Sequence, residues 1–140
     1  MIDMKAKKRL RRSMLFLNCQ KPALIRDPYV YRPDSIMLDL EDAVAENQKD
    51  AARYSLFHAL QEIDYHGVER VVRINGLDTA WGADDLKALR ETPVDLIVAP
   101  KVESAAMVHA LSAALRPGVD LWAMIETPRA LVDLGEIAGA

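Results

Sequence analysis

A chain of 140 residues with net charge −3, 51% apolar and 28% charged residues, has the size and balance of one globular domain. The acidic balance argues against nucleic acid as a main partner, and neither an apolar run of about 18 residues nor a secretory segment is present. Cys19 is the single cysteine, which excludes an intrachain disulfide and a thiolate metal cluster, so a cytoplasmic location is expected.

The chain opens on a basic cluster, KAKKRLRR, from Lys5 to Arg12. Residues 1–12 are expected to be a flexible, solvated segment, and residues 13–140 the folded domain. Arg11 and Arg12 abut the first strand and are the cations best placed to meet a phosphate. The first apolar run is SMLFLN (Ser13 to Asn18), followed by a helical region that Asp27 and Pro28 bend.

The second run is more informative. It is SIMLDL (Ser35 to Leu40), and the stretch IMLDLEDAVAENQKDAAR, from Ile36 to Arg53, changes from a buried strand pattern to three carboxylates (Asp39, Glu41, Asp42) within four positions. Ionised groups at the mouth of a buried strand are costly unless paired or metal-bound. Ala52, Leu56, Ala59, Leu60 and Ile63 then recur at helical spacing, predicting a helix over 47–63. RVVRIN (Arg70 to Asn75) is the third strand, and a weaker helix follows over 84–90. VDLIVAP (Val94 to Pro100) is the fourth strand. Ser104 caps the next helix, which Pro117 and Gly118 end. LWAMIE (Leu121 to Glu126) is the fifth strand, and Thr127 with Pro128 starts a last helix.

Strand and helix in alternation predict an α/β fold with parallel strands covered on both faces. Two architectures satisfy that pattern: a doubly wound sheet of five strands, or five of the eight units of a (β/α)8 barrel, which needs about 250 residues. No GxGxxG or GxxxxGK[ST] motif follows any strand, so nucleotide binding of those kinds lacks support. In either architecture the strands' C-terminal ends share one side. Glu41 and Asp42, Arg73, Lys101 and Glu126 end or follow four successive strands, and therefore converge. Carboxylates without His or Cys form a hard oxygen set, suited to Mg²⁺ rather than Zn²⁺. The plainer reading is an ion-pair network closing the mouth. His58, His66 and His109 read as solvated, Trp81 and Trp122 as packing residues, and Cys19 has no His partner nearby to make it a nucleophile.

RRSMLF, DSIMLDLEDAVAENQKDAAR, VVRIN, VAPKVES and MIET, in this order, resemble the citrate lyase β-subunit family with the related malyl-CoA and citramalyl-CoA lyases. The resemblance runs from Arg11 onward, and DLEDAV with its downstream Lys and Arg is its specific signature. It implies a TIM (β/α)8-type barrel, of which this chain holds about five of eight units. It also implies Mg²⁺ as cofactor, with Glu126 as a metal ligand beside the substrate and a second Asp ligand expected beyond residue 140. Arg73 would bind substrate oxygen, Glu41 and Asp42 would support the metal, and Lys101 would be a substrate-binding position. The implied reaction cleaves or forms a 3-hydroxyacyl thioester, such as a citryl, malyl or citramalyl thioester, giving an oxo acid and an acetyl thioester on CoA or acyl carrier protein. The alternatives are a pyruvate-type class II aldolase, or an inactive, truncated chain that only associates. Family members run to about twice this length, so the 140 residues are expected to be insufficient as an active monomer, and a homo-oligomer is expected. Asn18 and Cys19 stand where relatives place a VPG-like turn, so a reshaped turn is expected there.

Overall fold

The computed structural model describes residues 9–140. Five parallel strands form one sheet: β1 (Met14–Asn18), β2 (Ser35–Asp39), β3 (Glu69–Arg73), β4 (Leu96–Ala99) and β5 (Asp120–Ala123). Their spatial order is their chain order, β1-β2-β3-β4-β5. A doubly wound sheet reverses its strand order at a switch point, whereas a barrel adds each strand beside the last. The unbroken order therefore decides between the two architectures left open by periodicity. This is a partial (β/α) barrel with five of the eight units.

The connections hold α1 (Pro22–Arg26), α2 (Lys49–Glu62), α3 (Gly82–Leu89), α4 (Ala105–Ala114), α5 (Pro128–Val132) and α6 (Leu134–Gly139). Two 3-10 turns, Pro28–Tyr31 and Glu46–Gln48, mark the bend at Asp27 and the entry to α2. Ser104 caps α4 by accepting from the Met107 amide, and Thr127 caps α5 through the Ala130 amide. Both caps stand where the sequence placed them. The strand limits shift by one to three residues from those expected, chiefly because ladder pairing ends before the apolar run does.

Side-chain alternation along the strands separates two cores. Ile36, Leu38, Val72, Ile74 and Ile97 are wholly buried against the helices, together with Leu56, Leu60 and Leu111. Each such side chain contributes about 1.5–3 kcal/mol. Met37, Val71, Leu96 and Val98 point to the opposite, concave face, with Met14 and Met124 against them. At that face Phe16 is 55% and Trp122 39% exposed, so Trp122 is not the enclosed packing residue expected. Closure of a barrel over this face would enclose it.

At the N-terminal ends of the strands Arg11 donates two hydrogen bonds to Glu69, at 2.7 and 2.6 Å, and Ser35 adds a third at 2.7 Å. Arg12 is bound by Asp34. The two guanidinium groups named as phosphate contacts are thus engaged by carboxylates, at the end opposite the charged rim. The rest of the basic cluster, through Lys8, lies outside the described residues.

Candidate functional site

The charged rim begins with a strand register. Asp39 ends β2 directly across from Arg73, which ends β3, so their side chains rise from the same face. Arg73 donates to both Asp39 oxygens, at 2.8 and 2.7 Å, in a bidentate pair. Burial pushes the Asp39 carboxyl up, but the Arg73 bonds and the amides of Glu41 and Ala43 outweigh it and hold its pKa low. Arg73 is held above the ordinary arginine value, chiefly by Asp39. The guanidinium also lies 3.2 Å from Glu41 Oε2. That contact lacks hydrogen-bond geometry: Glu41 Oε2 is buried and, among the described residues, has no hydrogen-bond partner.

Lys101 joins the remaining strand ends. Its ammonium pairs with Glu41 Oε1 and lies 3.6 Å from Asp42, while its backbone N–H donates to Glu126 Oε1 at 2.8 Å. The pairing with Glu41 raises the Lys101 pKa. Its φ of 50° is left-handed, a conformation that costs a residue with a Cβ on the order of 1–3 kcal/mol and collects at functional sites. Contacts therefore run from Arg73 through Glu41 and Lys101 to Asp42 and Glu126, bringing together the five rim residues named from sequence. Lys101, named there as a substrate-binding position, is the node.

A cavity of about 310 Å³ opens beside this chain of contacts. Glu41, Asp42 and Lys101 line it; Arg73 and Glu126 do not. Arg73 sits on the concave face, 5.6 Å from the Phe16 ring, and Glu126 is exposed beyond β5. Residues absent from the sequence list complete the wall: Lys49, Asn75, Asp78 and Trp81. Behind it Asp85, fully buried, accepts from the Asn75 backbone and side chain at 2.9 and 2.7 Å and from Arg53 at 2.7 Å. A carboxylate on the apolar stripe of α3 was the signal that could have revealed Asp85. Its spacing from the apolar Leu86 and Leu89 reads as helix interior, where a lone carboxylate needs a partner.

The turn after β1 is held by Asn18. Asn18 donates to the Ala43 carbonyl at 2.6 Å and accepts from the Gln20 amide at 2.8 Å, tying β1 to the acidic turn after β2. Cys19 is fully buried, and burial pushes its thiol well above the usual range, so it is inert.

For a divalent cation the donor set is hard oxygen throughout, and Glu41 presents a buried oxygen without a hydrogen bond. Mg²⁺ takes one or two protein carboxylates and keeps water or substrate in its other positions. Among the described residues no three His, Cys, Asp or Glu side chains converge into a metal cluster. The site fits a cation held by one or two carboxylates, and does not form an all-protein cage.

A parallel (β/α) sheet with acidic and basic side chains meeting at its C-terminal rim defines a barrel-type enzyme scaffold. Residues 12–140 match the family described as HpcH/HpaI aldolase/citrate lyase, and the chain belongs to it. It is 44% identical to the citrate lyase subunit beta of Leuconostoc mesenteroides subsp. cremoris, over 94% of this chain and 47% of that protein. It is 42% identical to a (3S)-malyl-CoA thioesterase of Cereibacter sphaeroides, over 91% of this chain and 44% of that one. In structure it resembles the citrate lyase beta subunit of M. tuberculosis complexed with oxaloacetate and magnesium. The TM-score is 0.76 at 38% identity, covering 93% of this chain and 55% of the other. The chain thus spans about half the length of the curated relatives it matches.

Proposed function

We propose that this chain supplies part of the active site of a Mg²⁺-dependent carbon–carbon lyase acting on a 3-hydroxyacyl thioester. The observation that carries this reading is the contact chain through Lys101, which gathers Glu41, Asp42, Arg73 and Glu126 at one rim. The family's solved relative with oxaloacetate and magnesium supports the oxo-acid product. The CoA thioester named for the Cereibacter sphaeroides relative supports the carrier.

Glu126 would hold the cation, and Glu41 and Asp42 would support it. When bound, Mg²⁺ supplies a Lewis acid for substrate oxygens. Arg73 would place positive charge where oxygen charge develops as the carbon–carbon bond breaks, and Asp39 keeps its guanidinium preoriented. Lys101 would hold the substrate carboxylate while staying paired with Glu41. An apolar groove of about 560 Å³, with Leu77, Ala106 and Met107 in its wall and Lys101 at its edge, offers a surface to the thioester arm. Among the described residues no helix is long and apolar enough to cross a membrane. In the same reading the enzyme works in the cytoplasm as a homo-oligomer.

Calorimetric titration of Mg²⁺ with and without oxaloacetate tests the site. Millimolar Mg²⁺ is expected to bind when the oxo acid is present, and the heat to vanish in Glu126→Ala. Product analysis with malyl-CoA then separates the two enzyme readings: the lyase is expected to release acetyl-CoA and a two-carbon oxo acid, whereas a pyruvate aldolase would leave malyl-CoA intact and release pyruvate from a hydroxy-oxo acid. Absence of Mg²⁺ binding with or without the oxo acid would leave the associating, non-catalytic reading.

A further inference from the structure

The Lys49 of the downstream signature has no part in the proposed chemistry, yet its placement is costly. It is 7% exposed and stands first in α2, where the helix dipole disfavours a cation. Its ammonium donates to two successive carbonyls, Leu40 O at 2.9 Å and Glu41 O at 2.7 Å. Asn75 donates to the same Leu40 oxygen at 3.1 Å and also to Asp85, which Arg53 holds in turn. The Glu41 amide, for its part, donates to Asp39 at 2.9 Å. Both peptide planes flanking Glu41 are therefore set by buried side chains, and the side chain between them carries the buried oxygen without a hydrogen bond.

We propose that Lys49, seconded by Asn75, is a positioning residue that fixes the Glu41 peptide and thereby sets where the Glu41 carboxylate lies in the cavity. A cation buried at the unfavourable end of a helix adds nothing that an apolar side chain would not supply more cheaply to packing. Its two carbonyl bonds, and its ammonium 5.6 Å from the centre of the Trp81 ring, are what an apolar residue lacks. The functional half of this inference rests on the lyase reading; the structural half does not.

Amide hydrogen exchange on the full chain tests the structural half without any ligand. In Lys49→Met the amides of Glu41, Ala43 and Val44 are expected to exchange at least about tenfold faster, while Val71 and Val72 of β3 keep their protection. Equal acceleration throughout, or none in the turn, would overturn positioning. Should the Met variant fail to fold, Lys49→Gln keeps one donor and is expected to show the same local pattern at smaller size. The functional half is read from oxaloacetate affinity at saturating Mg²⁺ in Lys49→Met, Glu41→Gln and the double variant. Lys49→Met is expected to weaken binding about tenfold only while Glu41 is present. Additive losses would mean that Lys49 does not act through Glu41. If the parent chain binds no oxaloacetate, the lyase reading fails, and the exchange result alone decides the positioning role.

Discussion

A guanidinium gripped by the carboxylate across a strand pair, as Arg73 is by Asp39, is a charge with its direction already set. Breaking such a pair strands the other member in a buried place, which typically costs 3–5 kcal/mol. Asp39→Ala and Arg73→Ala are each expected to lose about 3 kcal/mol in urea unfolding, and the double variant clearly less than the sum. At the other end of the strands Glu69 is buried with Arg11 and Ser35. Burial pushes its carboxyl up, but the Arg11 and Ser35 bonds prevail and hold it below the usual glutamate value. A depressed folded-state pKa stabilises above the unfolded pKa of about 4.3 and loses that stability as pH falls through the folded value. Glu69→Gln should therefore be less stable than the parent at pH 7 and converge on it in strong acid. A difference independent of pH would refute this account of the pair.

Among the elements, the β3–α3 connection is tightly built at Gly82. A Cβ on Gly82 would stand 2.3 Å from the Gly76 carbonyl oxygen and 2.8 Å from the Asn75 oxygen. These are backbone atoms that cannot swing aside, so Gly82→Ala is expected to cost about 1–3 kcal/mol. It should also displace Asn75 and Asp78 in the cavity wall, visible as lost oxaloacetate affinity beyond the loss of stability. The α4 cap is an ordinary case for contrast. Ser104→Ala removes one bond to the Met107 amide and should lower stability by about 1 kcal/mol, leaving the rim 101–103 and its ligand affinity unchanged. Helix α2 presents its apolar stripe where sequence spacing put it, but its first turn carries Lys49 inward, which no propensity scale anticipates.

For the molecule as a whole, the open concave face and the sheet edges dominate. Among the described residues β1 and β5 each pair on one side only, and Phe16 and Trp122 leave apolar surface on the face between them. Parallel edges of this kind are templates for association. Light scattering on the 140-residue chain is expected to show a species larger than a monomer. Phe16→Ser is expected to shift it toward smaller species. A compact monomer that cleaves an acyl thioester would refute both this expectation and that of an insufficient single chain.

Alternating apolar runs, the caps at Ser104 and Thr127, and charge at four strand ends were legible in the linear chain, because each is a local or regularly spaced property. So was the resemblance carried by the DLEDAV segment. Tertiary structure decided the strand order, and so settled by geometry the choice of barrel over doubly wound sheet, which periodicity left open and the resemblance implied. It also decided that Arg73 is bound by Asp39 beside the cavity rather than lining it, and that Lys49, Asn75 and Asp85 frame the Glu41 turn. Those outcomes depend on which residues lie opposite one another across long separations. Strand register and helix packing settle that, and no local pattern encodes either.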